Sequence, residues 1–217
     1  MKYPCLVIDH DDTLVNSTAT VHFPAFQAFM SEKRPQIQMT LEEYFALNFE
    51  PGVIPLFRDI CGLNEKEMQE EQDFWFEFVK DRIPTAFPGM REILWQHKNR
   101  GGLICVVSHS FEEYIRRDYA HNDLPDPDLV FGWDLAPELR KPAPWSLYEI
   151  EKRYDLRPSQ LLMLDDLKPG YDMARAAGVA FAAAGWSNDV PEIVGFMRSR
   201  CDWYFKTVEE FGRWFLS

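Results

Sequence analysis

The sequence has few cysteines, no long apolar run and less positive than negative charge. Its four cysteines form neither a CxxC pair nor a metal-ligand spacing, which favours reduced thiols over disulfides. No apolar stretch approaches the ~20 residues that a membrane span needs. The apolar run near the N-terminus is too short for a signal peptide. These absences predict a cytoplasmic protein that acts without a membrane partner.

Positive charge is scarce: 23 lysines and arginines face 35 aspartates and glutamates, a formal net charge of −12. Such a chain repels nucleic acid at long range, so no nucleic-acid partner is expected. A small anionic substrate is compatible with this charge if a cation or a few local basic groups attract it. The 217 residues are enough for one large domain, or for a core domain that carries a smaller insert.

Four short apolar runs do not alternate with polar residues; they cover residues 3–8, 103–107, 161–164 and 179–184. Such runs are typical of strands that are buried on both faces of a parallel sheet. The segments between them have helical periodicity, and two begin with capping-box patterns, Ser110 with Glu113 and Thr207 with Glu210. The sequence therefore predicts an α/β fold, a Rossmann-like parallel sheet in a three-layer sandwich.

The interval between the first two predicted strands lacks any strand pattern. It predicts amphipathic helices over residues 21–30, over 41–47 after Thr40, and over 65–82 after Asn64. We therefore expect a core domain formed by residues 1–15 and 88–217, interrupted by a helical cap domain of residues 16–87.

Three of the apolar runs end in polar clusters. Asp9 and Asp11 follow the first run, Ser108 follows the second, and Asp165 and Asp166 follow the third. The carboxyl ends of parallel strands meet at one edge of the sheet, where ligands bind. These groups are therefore expected to converge in the fold.

The predicted cluster has the composition of a phosphoryl-transfer site. Carboxylates that lie close together cannot all stay ionised without a cation. Oxygen ligands of this kind suit a hard ion such as Mg²⁺. Lys141 adds a fixed positive charge, and a carboxylate, a hydroxyl, an ammonium and a divalent cation together suit the transfer of a phosphoryl group.

Four motifs in order resemble those of the haloacid dehalogenase superfamily: DHDDT from Asp9, Ser108 at the end of a strand, KPAP from Lys141, and LDD ending at Asp166 and followed by GYDMARAAG. The resemblance covers nearly the whole chain. The helical insert is similar to the cap of the phosphatase-like branch. The resemblance implies a Mg²⁺-dependent phosphatase that hydrolyses small phosphorylated metabolites through an aspartyl-phosphate.

Roles for individual residues follow from the resemblance alone. Asp9 would attack phosphorus, and Asp11 would protonate the leaving oxygen and then activate water. Ser108 would bind a phosphoryl oxygen, and Lys141 would hold the nucleophile and the phosphoryl group together. The implied Mg²⁺ ligands are Asp9, Asp11 through its backbone carbonyl, Asp166 and, less strictly required, Asp165.

Three positions depart from the family pattern: Asp12 replaces the usual Gly, Asp165 stands where Gly or Glu is common, and Leu167 replaces a common small polar residue. Specificity is expected to lie in the insert, where loops vary freely. Substrate contacts are predicted for five residues, for each of which a surface, packing or structural role is the alternative: His22, Lys33, Arg34, Arg58 and His109.

Three other functions stay open at this point. A sugar-phosphate mutase of the same superfamily is one, because the segment from His22 to Phe26 resembles the start of the cap in such enzymes. A phosphoryl-accepting receiver module also combines paired acids with a Lys-Pro, but it is much shorter and has no place for the insert. A dehalogenase ranks last, since that branch lacks the acid found here at Asp11.

Overall fold

Six parallel strands form a single sheet in the order β3-β2-β1-β4-β5-β6. A computed structural model describes residues 2–217. The strands are β1 (Cys5–Ile8), β2 (Leu103–Val107), β3 (Leu129–Phe131), β4 (Leu161–Asp165), β5 (Ala180–Ala184) and β6 (Trp203–Phe205). The four predicted strands are confirmed, and the two short edge strands, β3 and β6, were not predicted.

Both faces of the sheet are buried, which explains why its central strands are unbroken apolar runs. Successive side chains of a strand point to opposite faces. Leu6 and Ile8 of β1 therefore belong to one hydrophobic core, whereas Cys5 and Val7 belong to the other. The helices that cover the two cores complete the predicted three-layer sandwich.

Within residues 2–217, nine α-helices connect the strands and a tenth follows β6: α1 (Phe23–Lys33), α2 (Leu41–Phe49), α3 (Val53–Pro55), α4 (Glu65–Val79), α5 (Met90–Asn99), α6 (Glu112–His121), α7 (Trp145–Tyr154), α8 (Lys168–Ala177), α9 (Pro191–Arg200) and α10 (Val208–Phe215). Wide helical turns precede α1 at Thr18–His22 and follow α3 at Leu56–Ile60. Within residues 2–217, none of the helices combines the length and the apolar character that crossing a bilayer requires.

Helices α1 to α4 all lie in the segment between β1 and β2, which we call the inserted segment (residues 16–87). It has a hydrophobic cluster of its own, in which Phe26 and Phe57 pack against each other. It is also attached to the core, because Phe49 of α2 meets Phe196 of α9 edge-on, with ring centroids 5.3 Å apart.

The end of α4 is held by a core helix. Arg117 of α6 donates hydrogen bonds to the carbonyl oxygens of Val79 and Lys80, at 2.9 and 3.0 Å. Arg117 also pairs with Asp118, which contacts the ring of His10 at 3.0 Å. A chain of polar contacts thus links the end of α4 to the loop that follows β1.

Three of the predicted helix caps are present. Thr40, Asn64 and Thr207 each accept a hydrogen bond from the backbone N–H three residues later, in full capping boxes. The predicted capping box of Ser110 with Glu113 is wrong. Helix α6 begins after Phe111, because the Ser110 hydroxyl donates to a distant carboxylate instead.

All four cysteines are free thiols, as the sequence predicts: Cys5, Cys61, Cys105 and Cys201. The sulfur atoms of Cys5 and Cys105 lie 3.8 Å apart on neighbouring strands, inside the core.

Candidate active site

The carboxyl ends of β1, β2 and β4 bring the predicted residues together at one edge of the sheet. The backbone N–H of Asp9 donates to Leu164 of the adjacent strand at 2.9 Å. The N–H of Ser108 donates to Phe131 at 2.9 Å. Each bond continues the strand pairing by one residue, so both side chains start from a fixed backbone. Strand β1 is also where the strand order reverses, the usual ligand position in such sheets.

A compact carboxylate cluster lies at this edge. One oxygen from each of Asp9, Asp165 and Asp166 lies within 4.8 Å of the others, and all three residues are buried. Burial raises the pKa of Asp9 to about 7, and burial together with neighbouring aspartates raises the pKa of Asp166. Thr13 contributes a hydroxyl that donates to Asp166 at 3.2 Å. This cluster has the buried oxygen ligands and the excess negative charge of a cation site.

Lys141 supplies the positive charge inside the cluster. Its ammonium donates to Asp9 and to Asp165, each at 2.8 Å, and the side chain is almost completely buried. Burial opposes the charged form, but the two carboxylates more than offset it and raise the pKa of Lys141. The lysine therefore bridges the acid after β1 and the acid at the end of β4.

Asp165 is held in place from two sides. Its other oxygen accepts a 2.8 Å hydrogen bond from the backbone N–H of Leu167. Gly170 of α8 lies directly against the carboxylate, and a Cβ built at position 170 would overlap it. The glycine thus leaves the space that Asp165 needs to reach Lys141.

We expect Gly170→Ala to move Asp165 and to lower kcat/KM by about 10- to 100-fold, the range that small displacements of reacting groups produce. Gly195→Ala in α9 is the matched control, since a Cβ there meets nothing within 4 Å. Steady-state kinetics of both variants check this expectation. Equal activity in the two variants would show that the close approach of Gly170 to Asp165 does not affect catalysis.

Asp11 is the centre of a separate hydrogen-bond network. One of its oxygens contacts Nε2 of His22 at 2.9 Å and accepts from Ser17 at 2.6 Å. The other accepts from Ser110 at 2.5 Å and lies 3.5 Å from the hydroxyl of Ser108. Burial would raise the pKa of this carboxyl, but His22 and the hydrogen bond from Ser110 hold it well below its usual range. The side chain of Asp11 is therefore an anion turned toward the inserted segment.

The structure explains the departure at Asp12. This residue has a φ of 56°, the left-handed region that glycine adopts most easily. Aspartate is one of the few other residues found there, because its short side chain can form local hydrogen bonds. The carboxylate of Asp12 accepts from the backbone N–H of Thr18 at 3.3 Å.

A cavity of about 340 Å³ opens between this cluster and the inserted segment. Its core side is lined by Asp9, Asp11, Asp12, Ser108, His109, Ser110, Phe111, Trp133, Lys141, Asp166 and Leu167. Its other side is lined by residues of the inserted segment, chiefly from α2 and α4. The size suits a small ligand with one end against the carboxylates.

Two of the five predicted substrate contacts line the cavity, His22 and His109. Lys33, Arg34 and Arg58 are not among the lining residues. They pair within the inserted segment with glutamate or aspartate: Lys33 with Glu70, Arg34 with Glu67 and Arg58 with Asp59. The structure therefore brings the two histidines to the site and leaves the three cations away from it.

Sequence reasoning did not predict that Ser110 and Trp75 belong to the hydrogen-bond network around Asp11. The indole N–H of Trp75 donates to Nδ1 of His22 at 3.1 Å, and the two rings stack. This bond requires an unprotonated Nδ1, so the ring donates from Nε2 to Asp11. The position of Ser110, two residues after Ser108, was a usable signal, whereas Trp75 lies 53 residues from its partner.

A lysine-bridged carboxylate cluster at the switch point of a parallel sheet has the groups that suit an enzyme of phosphoryl transfer. The match to the family model of haloacid dehalogenase-like hydrolases extends over residues 6–184. The chain belongs to this family of enzymes.

Individual relatives are distant in sequence but match over most of their length. A phosphoglycolate phosphatase of Haemophilus influenzae is 23% identical, with 94% of each chain covered. A Bacteroides fragilis protein provisionally named a haloacid dehalogenase-like hydrolase superposes with a TM-score of 0.79 at 20% identity, covering 97% of this chain and all of the other. A Bacteroides vulgatus protein provisionally named a β-phosphoglucomutase gives 0.73 at 19% identity, covering 99% of this chain and 88% of the other.

Proposed function

We propose that the protein is a divalent-metal-dependent phosphatase that hydrolyses small phosphomonoesters through an aspartyl-phosphate on Asp9. The observation that carries the proposal is the lysine bridge. Lys141 holds Asp9 beside Asp165, with Asp166 in the same buried cluster, at one end of a cavity sized for a metabolite. Membership in the hydrolase family and the activity named for the H. influenzae relative support the same reaction class.

The carboxylate cluster fits a metal ion. The raised pKa values of Asp9 and Asp166 show how costly their negative charges are without additional positive charge. Asp9 and Asp166 would hold the ion, with Asp165 beside them, and the backbone carbonyl of Asp11 would complete the chain's contribution. The all-oxygen donor set suits Mg²⁺. When bound, the cation would neutralise negative charge on the phosphoryl oxygens.

In the first half of the reaction, a carboxylate oxygen of Asp9 attacks phosphorus and the bond to the leaving oxygen breaks. Lys141 keeps Asp9 oriented and offsets negative charge. Ser108 lies at the end of β2, where its hydroxyl can donate to a phosphoryl oxygen. Covalent catalysis of this kind replaces one difficult displacement with two easier ones.

In the second half, Asp11 takes a proton from water, which attacks the aspartyl-phosphate. The arrangement with His22, Ser17 and Ser110 keeps Asp11 ionised, the form that a general base needs. To protonate the leaving oxygen in the first half, Asp11 must first gain a proton, and separation from His22 would raise its pKa. His22 lies in the inserted segment, so we propose that movement of residues 16–87, acting as a cap domain, couples closure to the acid and base forms of Asp11.

The mutase is the second candidate, because the B. vulgatus structure shares the fold and carries that provisional name. A hydrolase admits water after the alcohol leaves, whereas a mutase must keep water out and return the phosphoryl group to a sugar. Product identity separates the two. We expect sustained release of inorganic phosphate from several phosphomonoesters. An isomerised sugar phosphate formed much faster than free phosphate would favour the mutase.

Removal of metal ions should abolish most activity. With the ion gone, the charges of Asp9 and Asp166 are opposed mainly by Lys141, and we expect turnover to fall by about 100-fold or more. Adding Mg²⁺ in excess of the chelator should restore it, and Ca²⁺ should restore less because its coordination is looser. Phosphate release before and after treatment with EDTA measures the effect. Full activity in exhaustively metal-free buffer would contradict the metal site.

A further inference from the structure

The part of the cavity formed by the inserted segment is aromatic and acidic. Helix α4 turns one face toward the catalytic loops, with lining residues spaced three or four apart along it: Glu65, Met68, Gln69, Glu71, Gln72 and Trp75. The rings of Tyr44, in α2, and Phe57, in the wide turn Leu56–Ile60 after α3, also line this wall. A leaving alcohol attached to a phosphoryl group at Asp9 would extend toward this wall.

Positive charge is confined to the other end of the cavity. Among the lining residues, all within the described chain 2–217, Lys141 is the only lysine and none is an arginine. Its ammonium already binds Asp9 and Asp165. Both ring nitrogens of His22 are engaged, by Asp11 and Trp75.

The second histidine at the cavity is not a cation either. Burial and the nearby charge of Lys141 lower the pKa of His109 to about 4, so its ring is neutral at physiological pH. The wall that meets the leaving alcohol therefore offers no cation for a carboxylate or a second phosphate.

Two carboxylates lie on that wall, Glu65, which is exposed, and Glu71, which is half-buried. Within the described chain Glu71 has neither a salt bridge nor a side-chain hydrogen bond, although it lines the cavity close to the neutral ring of His22. Burial raises the pKa of Glu71 to about 7, so the side chain is mostly ionised above that pH. An anion brought into the cavity would be desolvated near this carboxylate and find no partner.

We propose that Glu71 determines specificity by excluding phosphomonoesters with an anionic leaving alcohol and by favouring those whose alcohol carries an ammonium group. The aromatic rings beside it suit an ammonium, which is attracted to ring faces. The inference rests on the proposed phosphatase activity and narrows its substrate class. It also separates this chain from the activity named for the H. influenzae relative, because the glycolate released from phosphoglycolate carries a carboxylate.

Three esters of nearly equal size test the proposal: phosphoethanolamine, ethylene glycol monophosphate and 2-phosphoglycolate. Their leaving alcohols end in an ammonium, a hydroxyl and a carboxylate. Phosphate release with Mg²⁺ at about pH 8, where Glu71 is ionised, should give kcat/KM values that fall in that order. Each ester is also measured as an inhibitor of p-nitrophenyl phosphate hydrolysis, so that an ester which binds without turnover still reports its affinity.

Glu71→Gln removes the charge and keeps the shape. We expect it to shift the ratio of phosphoethanolamine to 2-phosphoglycolate, in kcat/KM or in inhibition, by about 10-fold or more toward the anion. Glu77→Gln is the matched control, because Glu77 lies on the same helix, is exposed and pairs with Lys80 outside the cavity. This control should keep the ratio of the unmodified enzyme. The order measured on the unmodified enzyme tests the proposal even if Glu71→Gln folds poorly.

The possible results distinguish a failure of the proposed phosphatase activity from a failure of the proposed selectivity of Glu71. If p-nitrophenyl phosphate and all three esters yield no phosphate, the proposed phosphatase activity fails. If p-nitrophenyl phosphate is hydrolysed but 2-phosphoglycolate is the preferred ester, the activity stands and the function of Glu71 is refuted. A ratio that is unchanged in Glu71→Gln would likewise refute it.

Discussion

Asp9→Asn should lower turnover by at least about 10⁴-fold, because an amide cannot act as the attacking nucleophile. The loss should not come from unfolding. Burial raises the pKa of Asp9 from its ordinary value to about 7, so its negative charge destabilises the folded state at neutral pH. The neutral amide lacks that penalty, and Lys141 keeps its ion pair with Asp165 at 2.8 Å. The variant should therefore be at least as stable as the unmodified protein when no metal is present.

Phosphate release and urea unfolding in EDTA, measured on the same preparation, check both parts of this expectation. Asp126→Asn is the control: Asp126 is exposed and precedes β3, at the edge of the sheet opposite to the site. It should match the unmodified enzyme in both measurements. Near-normal turnover by Asp9→Asn, with contaminating phosphatases excluded, would defeat the covalent mechanism.

The central strands were predictable because burial on both faces leaves an unbroken apolar run. This pattern is present in β1, β2, β4 and β5. The acids and the hydroxyl at the ends of β1, β2 and β4 identified the edge of the sheet where the site lies. β3 and β6 are three-residue edge strands with several half-buried positions, so their short segments carry no comparable signal. The carboxylate cluster followed from local sequence, since each of its members ends or follows a predictable strand.

The rest depended on contacts between distant segments. Ser110 has the same local capping pattern as Thr207, but a carboxylate from another loop takes its hydroxyl, whereas the Thr207 hydroxyl has no such competitor. Glu70 and Glu71 are adjacent glutamates of α4 that no local sequence pattern distinguishes. In the structure, however, Glu70 pairs with Lys33, whereas Glu71 lines the cavity. The contacts of Ser110 and Glu71 depend on the direction of the side chain and on residues that are distant in sequence. Neither can be predicted from the spacing of residues in the sequence.

Lys141→Met should cost both stability and activity, because Lys141 is the ammonium that binds Asp9 and Asp165. Removing one partner of a buried ion pair leaves an uncompensated charge, which typically costs about 3–5 kcal/mol of unfolding free energy. Activity should fall by about 10²- to 10³-fold, as is usual when a charged or hydrogen-bonding group that stabilises the transition state is lost. Methionine keeps the length and apolar stem of the side chain, so the change isolates the charge.

Lys168→Met is the matched control for this prediction. Lys168 begins α8 close in sequence to Asp166, but its ammonium pairs with the half-exposed Asp172, at 3.1 Å, and with Glu50. Pairs of this kind are screened by water and contribute about 0–1 kcal/mol. Urea unfolding in EDTA should therefore separate the two variants clearly. If the two variants lose similar stability, the Lys141 ammonium does not hold the carboxylate cluster together. Asp9 and Asp165 must then be stabilised chiefly by protonation.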